Sequence, residues 1–159
     1  MRRAYRTIAF LIAAEVVVQS AAVALGMFGL LKSIDDGAVV TAATVENDET
    51  LDGGIGFLVH GINGMFVVPS LALLLLVVAF FAAVPGGVRW AVILFVLVVL
   101  QVMLGGFAHD YPMVGALHGL NALAVFVVAM LAAHRARPVT RIEPSPISAD
   151  STPPGAFTS

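Results

Sequence analysis

Four stretches of this chain are long and apolar enough to cross a lipid bilayer, and almost no charge interrupts them. A hydrocarbon core of about 30 Å takes about 20 helical residues. The runs cover roughly residues 7–31, 54–84, 88–108 and 113–133. In hydrocarbon every backbone N–H and C=O must be paired within its own segment, so such runs fold as spanning helices. Composition agrees: 60% of residues are hydrophobic and 11% charged, against roughly half and a quarter in a soluble domain. The expected fold class is therefore all-α, an integral membrane four-helix bundle over residues 1–137. Its expected partner is the lipid bilayer, and a net charge of -2 gives no nucleic-acid signal.

Charge placement orients the bundle. Arg2, Arg3 and Arg6 precede the first run, Arg89 opens the third, and Arg135, Arg137 and Arg141 follow the fourth. By the positive-inside rule this end is cytoplasmic, giving a multi-pass protein of the inner (plasma) membrane with both termini inside. An acidic outer loop, residues 32–53, carries Asp35, Asp36, Glu46, Asp48, Glu49 and Asp52. The first run resembles a signal peptide in its basic lead. It is too long for one and carries Glu15 and Gln19, so it is read as a retained helix. Residues 138–159, rich in proline, serine and threonine, are expected to form a disordered cytoplasmic tail.

A short phrase occurs twice: His60-Gly61-Ile62-Asn63 and His118-Gly119-Leu120-Asn121. Each copy opens an apolar run, and the run before it carries one glutamine, Gln19 or Gln101. The chain thus reads as a duplicated two-helix hairpin, a parallel repeat with its pseudosymmetry axis along the membrane normal. His60 and His118 fall at matched depth, roughly 8 Å below the outer interface. Asn63 and Asn121 share their face at i+3, with Gly64 and Ala122 at i+4. Two histidines converging on a gap between helices are what axial ligation of heme b requires. Gly61, Gly119 and the small residues would leave room for a flat macrocycle, and the asparagines would orient the imidazoles or meet a propionate. The plainer reading is helix packing by small and polar residues.

Glu15 and Gln19 lie one helical turn apart. Glu15 is too deep to join the histidine layer and is expected to bond Gln101 or a backbone carbonyl, with proton handling as its functional alternative. Gln19 and Gln101 are expected to bond across the bundle. His109 and Asp110 in the outer turn and His134 at the inner end read as solvated or interfacial groups. Pro69 should kink the second span, and Trp90 and Tyr111 fit an aromatic belt. With no cysteine in the chain, iron–sulfur clusters and covalently attached heme are excluded. No phosphate loop, nucleophile–base motif or zinc spacing is present, so no catalytic residue is assigned.

The stretch from Val98 to Ala133, with QVMLGGFAHDYPMVGALHGLNALAVFVVAM in its middle, resembles the heme A synthase family, as does the placing of histidines on the second and fourth of four spans. The chain is similar to one four-helix unit of the tandem pair in that family, and also to small four-span bacterial membrane proteins without established function. The resemblance implies His60 and His118 as paired axial ligands. That family carries a glutamate three residues before its first histidine and an arginine directly after it; here these are Phe57 and Gly61. The resemblance therefore implies a heme binder that does not transform its heme.

The leading expectation is a small b-type-cytochrome-like membrane protein holding one heme between helices two and four, for electron transfer or heme handling with a redox or membrane-complex partner. The alternative is a cofactor-free accessory protein of a larger complex. A third reading is a small proton-linked transporter using Glu15.

Overall fold

The computed structural model describes residues 1–41, 43–44 and 51–137; the tail expected over residues 138–159 and the acidic residues Glu46, Asp48 and Glu49 lie outside them. The described residues form four helices, each long and apolar enough to cross a membrane, and no strand. Helix α1 is Arg2–Asp35, α2 is Gly54–Ala79, α3 is Gly87–Ala108 and α4 is Pro112–Arg135. Packing runs around a square: α2 lies against α1 and α3, and α4 against α3 and α1. Helices α2 and α4 therefore face each other across a diagonal.

Helix α1 runs past both ends of its expected span until glycine stops it. Gly37 takes a left-handed φ of 94°, with its N–H bonded to the Ile34 carbonyl and that of Ala38 bonded to the Ser33 carbonyl. This is the Schellman closure that glycine adopts without a Cβ penalty. Lys32, beside that end, pairs with both Asp36 and Asp52. The Ser33 hydroxyl accepts the Asp52 N–H at 3.0 Å. These contacts clip the start of α2 to the end of α1.

Helix α2 departs from its expected span in two ways. It ends at Ala79, not near residue 84, and residues 80–86 turn back toward α3. Pro85 disfavours helical geometry at Val84, while Ala83 and Gly86 adopt positive φ values of 51° and 68°. The expected kink at Pro69 is taken up as a π-turn over Asn63–Val67, in which the Val68 N–H reaches back to the Asn63 carbonyl. Proline cannot donate to the ladder and its ring crowds the preceding turn, and one wider turn relieves both.

The apolar core sits at the end that carries the arginines. Tyr5, Ile12, Leu75, Leu94, Val98 and Val125 are fully buried there, interleaved with Ala9, Ala72, Ala91 and Ala129. The Tyr5 hydroxyl donates to the Gly87 carbonyl at 3.0 Å, Arg2 donates to the Ala83 carbonyl, and the Arg135 guanidinium lies 5.0 Å over the Trp90 ring. The start of α1, the end of α2, the start of α3 and the end of α4 thus meet. Beyond Val98 in α3 and before Asn121 in α4, no residue is buried.

At the opposite end, α1 and α2 pack backbone to backbone. A Cβ on Gly56 would stand 2.3 Å from the Ala22 carbonyl oxygen, and one on Gly29 would stand 1.8 Å from the Asp52 carbonyl oxygen. Small residues permit this approach where lipid removes most of the hydrophobic drive for helix association. Phe28, Phe66, Leu120 and Leu123 point outward and are more than half exposed. Such a surface suits hydrocarbon and would be an aggregation hazard in water.

Candidate heme-ligand layer

His60 and His118 each lie six residues beyond the start of their helix, at Gly54 and Pro112, so they stand at matched positions along their helices. The helices bring the two together: the ring centroids are 6.1 Å apart across the diagonal, with 64° between ring planes. Each imidazole is half-buried.

Both rings are held in the same way. His60 Nδ1 donates to the Gln19 carbonyl at 3.3 Å, and His118 Nδ1 donates to the Gln101 carbonyl at 3.1 Å. A carbonyl can only accept, so each Nδ1 carries a proton; in the neutral ring that leaves the lone pair on Nε2. A backbone carbonyl behind Nδ1 is the support that metal-bound histidines ordinarily have.

Around each ring the register repeats. Gln19 lies opposite His60 and Glu15 opposite Asn63; Gln101 lies opposite His118 and Leu97 opposite Asn121. The details then diverge. Asn121 Nδ2 donates to the Leu97 carbonyl at 2.9 Å and to Gln101 Oε1 at 2.7 Å. With Oε1 so engaged, the Gln101 NH2 is turned to His118, and its Nε2 stands 3.1 Å from His118 Nε2. In the first hairpin Asn63 Nδ2 donates to Glu15 Oε2 instead. Gln19 Nε2 donates to the His60 carbonyl at 3.1 Å, and Gln19 Oε1 is buried without a partner among the described residues.

Several expectations change accordingly. Glu15 bonds Asn63 rather than Gln101, and the two glutamines bond within their own hairpins rather than to each other, Gln19 to the His60 carbonyl and Gln101 to His118 and Asn121. Asn63 does not orient an imidazole, and Asn121 does so only through Gln101. Gly61 and Gly119 face open space, while a Cβ on Gly64 would meet Gln19 Nε2 at 2.6 Å, so Gly64 makes room for the glutamine. His109 and His134 are exposed. Gly105 is a member the sequence reading missed: a Cβ there would sit 3.1 Å from His118 Cε1. The available signal was its place four residues after Gln101, on the same helix face.

The layer can be tested for fit to an iron porphyrin. A metal about 2 Å from each of two opposed imidazole nitrogens sets the ring centroids roughly 6 Å apart; the observed 6.1 Å matches that distance alone, since the rings meet edge-on. Tautomer and backing carbonyls agree as well. Gln101 Nε2 stands 3.1 Å from His118 Nε2, so that atom would be free for a metal only with the amide swung away. Among the described residues no cluster of three or more histidine or carboxylate side chains offers a bare-metal site.

Compared with known proteins, the chain matches no family model, no curated protein and no solved structure.

Proposed function

We propose that this chain is a small b-type-cytochrome-like protein of the plasma membrane that holds one heme between His60 and His118, for electron transfer or heme handling. The observation that carries the reading is the pair of imidazoles meeting across the α2–α4 diagonal, each with Nδ1 committed to a carbonyl and Nε2 left basic. Heme held by His60 and His118 would supply a one-electron couple, which suits electron transfer. The protein's own part is to fix both rings and to keep lipid from the iron. We also propose that the bundle is a duplicated hairpin lying N-in and C-in, with the histidine layer toward the outer face. The shared register of Gln19–His60 and Gln101–His118 supports the duplication, and the arginines at one end support the orientation.

A second reading has an observation of its own. His118 Nε2 is already partnered by Gln101, as it would be in a cofactor-free accessory protein whose histidines only bind helices together. The two readings part on one experiment. The protein is expressed with heme supplied, purified in detergent, and its oxidised and reduced absorption spectra are recorded. The heme reading expects a Soret band that is lost in both His60→Ala and His118→Ala. The accessory reading expects no band in the native protein and no spectral change in His→Gln variants.

A further inference from the structure

The two histidines share a tautomer and a backing carbonyl, yet their Nε2 atoms stand in different surroundings. Gln101 Nε2 donates to that of His118 at 3.1 Å. The amide cannot flip to present its oxygen, because Asn121 Nδ2 already holds Gln101 Oε1 at 2.7 Å. Asn121 is in turn fixed by the Leu97 carbonyl at 2.9 Å. This relay ends on the lone pair that a metal would need. The first hairpin lacks it: Gln19 spends its NH2 on the His60 backbone carbonyl, and Asn63 is drawn off to Glu15. Among the described residues, nothing donates to His60 Nε2.

We propose that His60 is the open ligand and His118 the masked one, with Gln101 the positioning residue that decides whether this layer offers one imidazole or two. The proposal rests on the heme reading and deepens it: His60 would be the residue available to a metal at once, and His118 would become available only with Gln101 displaced. The inequality itself is a property of the protein without heme and can be measured there.

Neutral imidazoles react with diethyl pyrocarbonate through a free ring nitrogen, so the reagent reports lone-pair access at each histidine. In heme-free protein in detergent, residue-resolved mass spectrometry should show His60 modified on the order of fivefold faster than His118, which corresponds to about 1 kcal/mol held in the masking bond. Gln101→Leu should raise the His118 rate to near that of His60. Gln101→Met is the second variant should leucine disturb the fold, with helicity and detergent elution as checks. General loosening raises both rates, so their ratio decides. Equal rates in the native protein, or a His118 rate unmoved by Gln101 replacement in a folded variant, would overturn the proposal. Titration with hemin separates the two ideas. Unequal rates without hemin uptake refute the heme reading and support the inequality. Uptake with equal rates does the reverse. With uptake, Gln101→Leu should shift the spectrum toward the six-coordinate low-spin form.

Discussion

The close approach of α1 and α2 sets up a comparison between two glycines five residues apart on one helix. Replacing Gly56 with alanine puts a methyl group 2.3 Å from the Ala22 carbonyl oxygen and 2.6 Å from the Gly26 nitrogen. Both obstacles are backbone within α1, so no side chain can turn aside, and the helices must part by about 1 Å to restore ordinary contact. A gap of that size forfeits a quarter to a half of the attraction at each affected atom pair, and overpacking of this kind costs about 1–3 kcal/mol. Alanine recovers roughly 0.5–1 kcal/mol through helix propensity, leaving Gly56→Ala net destabilising. At Gly61 the added methyl meets nothing within 4 Å, so Gly61→Ala keeps only the propensity gain. The two variants should therefore move stability in opposite directions, about 2 kcal/mol apart. Denaturant titration in mild detergent, followed by helical circular dichroism, measures the difference. If Gly56→Ala is as stable as Gly61→Ala, the backbone packing inferred for this end is wrong.

Tyr5→Phe removes the buried hydroxyl from the Gly87 carbonyl and should cost about 0.5–1.5 kcal/mol in the same titration. Asn121→Ala strips a donor from the Leu97 carbonyl and from Gln101 Oε1; a loss of about 1–3 kcal/mol is expected, together with faster carbethoxylation of His118. Ser33→Ala should expose the Asp52 amide, seen as faster hydrogen exchange at that residue with little change in global stability. Gly105→Ala presses on the His118 ring at 3.1 Å, so altered His118 nitrogen chemical shifts are expected while those of His60 stay in place.

Four helices long and apolar enough to cross a membrane were legible because length and apolarity alone decide them. The matched positions of His60 and His118 along their helices were equally legible, since a repeated phrase at the start of two helices fixes rise. Partners were not. Whether Gln19 meets Gln101 or His60 depends on which helices are neighbours around the square, and hydropathy is blind to that order. The π-turn was signalled by Pro69 only as a disturbance, because the same lost donor can produce a kink or a wider turn. Gly105 escaped notice because a glycine in an apolar run carries no mark of the ring it makes room for. Helix α2 stopped short of its expected end for a local reason: residues 80–84 are as apolar as any in the span, and Pro85 with the left-handed Ala83 ends it all the same.

The fully buried large side chains all lie toward the arginine-bearing end, and at the histidine level the helices are joined by a handful of hydrogen bonds and by glycine contacts. A bundle so constructed resembles a pair of tongs riveted at one end, with the clipped α1–α2 hairpin as one arm and α3–α4 as the other. Spreading the arms parts the His60 and His118 rings without disturbing the rivet, so opening there is a local event and not the start of unfolding. On the proposed heme reading, a flat guest would enter sideways between those arms and leave again with the rivet intact.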